Sequence, residues 1–143
     1  MNVILFLFGF FIANVIEYCV HRFLFHGMGR NKKSIFAFHL REHHRKAVRN
    51  GFVDEKLSAK EWIGIPVLLI LLLPVYYLSF SFYFGISLYA VLFVVIHNIQ
   101  HKYPKFAKKY FWWHWNHHMR NPNKSWAVVV PITDIIFGTL QKR

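Results

Sequence analysis

The 143-residue sequence predicts a single domain, 1–143, of the all-α class: an integral-membrane helical bundle with about three transmembrane helices and a histidine-rich site on its cytoplasmic face. Three observations carry that expectation. The chain is 55% hydrophobic yet has a formal net charge of +12. Its charges are segregated, with ten Lys and Arg between Arg22 and Lys60, eight between Lys102 and Arg143, and none in 1–21 or 61–101. Membrane proteins separate apolar spans from charged loops in this way. Finally, all ten histidines lie in four short clusters.

Taken in order, Asn2 to about Val20 is apolar and long enough to cross a hydrocarbon layer of roughly 30 Å as a helix. It is read as a span rather than a signal peptide, because it lacks a basic leader and an A-x-A-like site, and Glu17 interrupts the region where cleavage would fall. The single Cys19 excludes an intrachain disulfide and reads as a small apolar helix residue. GMGRNKK, Gly27 to Lys33, predicts a loop, and SIFAFHLREHHRKAV after it an interfacial helix. Trp62 to Ile96 is too long for one span and predicts a helical hairpin with arms near 62–79 and 83–101 and its turn in LSFSFYFG. Pro66 and Pro74 should kink the first arm, which membrane helices tolerate when neighbours satisfy the freed carbonyls. The tail PKFAKKYFWWHWNHHMRN mixes Lys with aromatics as a surface helix does, with Trp112, Trp113 and Trp115 anchored at the interface. Three spans with the N-terminus outside put both basic blocks on the cytoplasmic side. That bias accounts for most of the charge, so no nucleic-acid partner is expected.

The histidine clusters are His21 and His26; His39, His43 and His44; His97 and His101; and His114, His117 and His118. On an α-helix, residues three or four apart share a face, so His97 with His101, His39 with His43, and His114 with His117 can each grip one metal ion. Residues one or five apart diverge by roughly 100° and 140°, which sends His21 and His26, or His117 and His118, to different ions. Ten imidazoles overfill one ion and ask for two. Other metal chemistries fail on detail. HLREHH does not place a glutamate as the HExxH motif needs, one Cys cannot supply a deaminase C-x-x-C, and six acids are too few for a carboxylate-bridged bundle. A cationic site with open positions beside apolar spans suits activation of dioxygen against a lipid hydrocarbon. The basic rim offers attraction to anionic head groups or an acidic electron donor.

HRFLFH, HLREHH, HNIQH and HWNHH in that order, followed by PITDIIFGT, resemble the fatty acid hydroxylase superfamily from about Ile16 to Leu140. Any one box is a weak signal; the ordered set is highly specific. The resemblance implies a membrane-bound oxygenase with two metal ions that uses dioxygen and external electrons to hydroxylate or desaturate a lipid. Iron is the metal it implies, although imidazole also suits zinc and copper. Carried over box by box, it assigns His21, His39, His43, His114 and His117 to one metal, and His26, His44, His97, His101 and His118 to the other. Asp134 is a candidate to orient a ligand imidazole, its alternative being to cap a helix beginning near Ile135.

Relatives often have four spans in two hairpins, whereas twenty residues precede His21 here. A homodimer could supply the missing wall. The electron donor is expected to be a separate protein, a ferredoxin or a cytochrome b5-like protein with its reductase. Within the superfamily, HRFLFHGM also resembles carotenoid hydroxylases, while PITDIIFGT leans towards the fatty acid and sterol branch. The reading from a different class is a non-catalytic metal-binding membrane protein, from which lost ligands would be expected.

Overall fold

A computed structural model describes residues 1–54 and 59–143, and side chains outside 55–62; Lys56 and Lys60 of the first basic block therefore lie outside the described side chains. Helix α1, Val3–Cys19, starts at Asn2, whose side chain accepts from the Leu5 N–H at 3.2 Å, and runs directly into a π-helical segment, Val20–Phe25. A 3-10 turn, Met28–Arg30, leads to a second π-helical segment, His39–His44, continued by α2, Arg45–Arg49. Then follow α3, Ala59–Leu71; α4, Leu73–Leu78; α5, Phe80–Lys102; α6, Pro104–Tyr110; α7, Trp112–Met119; and α8, Ile132–Ile136. No strand occurs among the described residues.

Two of the helical stretches, Val3–Arg30 and Phe80–Lys102, are long and apolar enough to cross a membrane. They run parallel. The Asn2 N–H donates to Ser81 Oγ at 2.8 Å near the start of both helices, and Asn14 Nδ2 donates to Tyr89 OH at 2.7 Å further along. Glycines set the close approach: a Cβ on Gly9 would sit 2.2 Å from the Phe82 carbonyl oxygen, and one on Gly85 equally close to that of Phe6. Small residues at such contacts let membrane helices pack backbone to backbone. Around them Ala13, Ile86, Tyr89 and Val129 form the apolar core. Many large apolar side chains point outward instead, among them Ile4, Leu7, Ile70 and Leu78, as lipid-facing residues do.

The expected first hairpin arm is two helices, α3 and α4, broken at Leu72 just before Pro74. The turn is shorter than expected. Ser79 alone is extended, and its hydroxyl caps α5 by accepting from the Phe82 N–H at 3.3 Å, so Ser81 and Gly85 lie inside the helix. The surface tail likewise divides, at Phe111, into α6 and α7.

Asn14 carries a further tie. Its amide also donates to the Val130 carbonyl at 2.9 Å and its oxygen accepts from the Thr133 N–H and hydroxyl, both at 3.1 Å. A fully buried amide in an apolar helix is tolerable only when satisfied in this way. The result pins the segment after Ser125 against the ends of α1 and α5, where the histidines lie.

Candidate metal centre

All ten histidines are buried, the most open being His44 at 7% exposure. Their ring nitrogens converge in two groups of five: His21, His26, His39, His44 and His117, and His43, His97, His101, His114 and His118. Within each group one nitrogen per residue lies within 4.8 Å of all the others. The groups abut, the rings of His44 and His118 stacking at 4.0 Å.

This grouping corrects the assignment made from spacing and resemblance. His26 and His44 belong with His21, whereas His43 and His114 belong with His97. The cause is backbone geometry. Both the His21–His26 and His39–His44 stretches are π-helical, and the His26 N–H bonds the His21 carbonyl at 3.0 Å, five residues back. A π-turn closes after five residues instead of four, which brings i+5 onto the face of i; the His43 ring stays 5.1 Å from that of His39, but its free nitrogen joins the other group. On α7, His118 pairs with His114 one turn back, their Nε2 atoms 3.1 Å apart, while His117 faces the other group. Of the three pairs expected to share an ion, His97 with His101 does fall in one group, and His117 and His118 diverge as their spacing predicts.

The donor sets suit metal ions. The Nε2 atoms of His26, His44 and His117 form a triangle with edges of 3.0, 3.1 and 3.2 Å, and His21 Nε2 lies 3.0 Å from that of His39. Ligands at right angles with metal–nitrogen distances of ~2.0–2.1 Å would be separated by ~3 Å. In the other group, the buried His43 and His101 Nε2 atoms have no hydrogen-bond partner. They are orphaned lone pairs of the kind a cation satisfies.

Outer contacts set the tautomers. His21 Nδ1–H donates to the Trp126 carbonyl and His114 Nδ1–H to the Gln100 amide oxygen. His43 donates to Asp54 Oδ2 at 2.9 Å, His101 to the Phe52 carbonyl at 2.7 Å and His117 to the Lys124 carbonyl at 2.8 Å. A proton held on Nδ1 leaves the Nε2 lone pair facing inward. His39 and His97 are steadied by stacking on Phe25 and Phe93. Burial, reinforced by neighbouring imidazoles, holds His39, His43, His44, His114, His117 and His118 well below the ordinary histidine value, so these rings stay neutral.

Asp134 touches no imidazole. Its carboxylate accepts from the Trp126 and Ala127 N–H groups at 2.9 and 2.7 Å and from the Thr139 hydroxyl at 2.6 Å. It lies inside α8 rather than at its start, so it caps no helix beginning at Ile135. Among the described residues the carboxylate on a histidine is Asp54, which sequence reading missed along with Gln100 and Phe52. Phe52 is buried with φ 82°, an uncommon conformation for a bulky residue, and stacks on His101 at 4.3 Å. Only the neighbouring Gly51 hinted at that turn. Of the three tryptophans assigned to the interface, Trp113 donates inward to the Val128 carbonyl at 3.2 Å.

A cavity of about 660 Å³ adjoins both groups, reaching His21, His39 and His97. Its walls are apolar side chains of α1, α3, α5 and the 35–38 segment, interrupted by Glu17 and Tyr89.

A family model described as fatty acid hydroxylase matches residues 6–139. No curated protein and no solved structure matches the chain.

Proposed function

The chain belongs to the fatty acid hydroxylase family, and from that premise we propose that it is a membrane-bound, non-haem dinuclear-metal oxygenase that hydroxylates a lipid. The observation that carries this reading is the junction of ten buried imidazoles, in two groups, with an apolar cavity that touches both. A store for metal ions has no use for that cavity, whose volume falls within the ~300–1,000 Å³ of small-molecule sites. The substrate is a fatty acyl or sterol chain. Carotenoid hydroxylation and lipid desaturation are the related outcomes of the same site.

Each five-histidine group would hold one metal ion, iron in the working enzyme, and the pair would supply the redox chemistry for oxidising a C–H bond with dioxygen. The protein's own residues do the rest. The apolar walls take the hydrocarbon chain and exclude water, so the reacting carbon lies beside His21, His39 and His97. Asp54, Gln100 and the Phe52, Lys124 and Trp126 carbonyls hold protons on Nδ1 and keep the inward nitrogens free. Electrons come from a separate ferredoxin or from a cytochrome b5-like protein with its reductase, attracted by the basic face.

The topology is three spans, with the N-terminus outside and the histidines on the cytoplasmic face. The parallel α1 and α5 support it, because the chain between them must return across the bilayer, and α3 with α4 is the segment available. A second copy of the chain, as a homodimer, would complete the cavity wall.

Purified protein should contain two metal ions per chain by elemental analysis. Membranes containing it and a reductase system should convert a fatty acyl, sterol or carotenoid substrate to an oxygenated product. Bound iron with no product from any of the three would sink the enzymatic reading, and fewer than two ions would sink the dinuclear one.

A further inference from the structure

The segment Ser125–Val130 forms no helix or strand, yet its backbone groups are held by charged and polar side chains from three directions. Three successive N–H groups meet carboxylates: Trp126 and Ala127 donate to Asp134, and Val128 donates to Glu17 Oε1 at 2.7 Å. Two of its carbonyls lead to histidines, one directly and one through an amide. That of Trp126 accepts from His21, and that of Val128 accepts from Gln100 Nε2 at 3.2 Å, while the oxygen of the same Gln100 amide accepts from His114. Asp134, Gln100 and His114 are completely buried, so water does not compete for the bonds that these three make.

The Ala127 N–H and the Trp126 C=O belong to one peptide unit. Asp134 therefore pulls on one end of a dipole whose other end holds His21. Hydrogen bonds in such a chain polarise one another and strengthen. Metal-bound histidines commonly lean on a carboxylate directly; here a peptide plane stands between the two. The Gln100 side-chain amide plays the same part between Val128 and His114.

We propose that the Trp126–Val128 strap is a single positioning device serving both histidine groups, with Asp134 acting on His21 through the Trp126–Ala127 peptide and Gln100 acting on His114. The inference rests on the reading that each group holds a metal ion. Its consequence is a hierarchy. Disturbing the strap weakens both sites, whereas disturbing Gln100 weakens only the site containing His114. Trp113 still donates to the Val128 carbonyl when Gln100 is changed, so the strap itself stays anchored.

The test is titration of the purified full-length protein in detergent with Co²⁺ against a competing chelator, following the visible absorption of bound Co²⁺, with thermal unfolding as the fold control. The unsubstituted chain should take two Co²⁺. Gln100→Leu should weaken one of them ~10–100-fold, the usual effect of losing such an outer partner, and leave the other within about twofold. Asp54→Ala, which removes the partner of His43 in the same group, should weaken that same step. Gln100→Glu keeps an acceptor for His114 and should restore the affinity while shifting the absorption bands, which a purely structural role would not do. Asp134→Asn should weaken both. Equal loss at both sites in Gln100→Leu, or no loss at either, overturns the proposal, as does a folded Asp134→Asn that keeps the affinity of the site containing His21; Gln100→Leu still tests the Gln100 arm if Asp134→Asn fails to fold. Failure of the unsubstituted chain to bind two Co²⁺ instead overturns the metal reading beneath it.

Discussion

His118 shows how little of a residue's role lies in its own neighbourhood in the chain. It adjoins His117, but the two rings face different groups, and the Nε2 of His118 meets that of His114. His118→Ala should therefore lower the metal content from two ions per chain to one and abolish lipid oxidation, read by elemental analysis and product assay on the same preparation. Full activity would refute its assignment as a ligand. The histidines were legible in sequence because four dense clusters of one rare residue type need an explanation. Asp54, Gln100 and Phe52 were not, because each is ordinary in its own segment. Their importance arises from contacts across 11, 14 and 49 residues of chain, respectively.

At the scale of elements, apolar length and charge segregation suffice to place α1 and α5, since a helix in lipid must satisfy its own backbone and needs only apolar side chains. They could not place the π-helical segments. A π-turn is locally disfavoured, and nothing in HRFLFH or HLREHH distinguishes i+4 from i+5 closure until the rings have partners to meet. The break at Leu72 was half legible, from Pro74. The glycine contact between α1 and α5 offers a test of their parallel packing. Gly9→Leu would drive a side chain into the Phe82 backbone, which cannot yield as a flexible side chain could. Overpacking of this kind costs about 1–3 kcal/mol or more. Thermal unfolding in detergent should show a clear loss of stability for Gly9→Leu and little change for Gly64→Ala, where a Cβ meets open space.

For the molecule as a whole, six of the buried imidazoles outside the spans have values held well below the ordinary ~6.5 of a free histidine. In the unfolded chain these rings take up protons near pH 6.5, while in the folded protein they do so only at much lower pH. The unfolded state thus binds more protons between those limits, and stability rises with pH across that window. The metal-free protein should be most stable above about pH 6.5 and lose stability steadily as the pH falls below it, measured as thermal midpoint against pH. A midpoint that is flat or rises on acidification would contradict the buried neutral state. Bound metal should be released over the same direction of pH change, because only neutral imidazole coordinates.

The sequence by itself determined the class of molecule: a helical membrane chain with enough histidine for two metals and the ordered boxes of its family. Those features follow from composition and local spacing, which no folding alters. Only the tertiary structure decided which histidines converge, which atoms orient them and where the apolar cavity meets them. The two π-helical segments turn i+5 into a shared face, and a strap from the far end of the chain supplies the carbonyls. Grouping and orientation depend on distances through space between residues as far apart as His21 and Trp126, 105 positions away, and spacing along a helix carries no information about those.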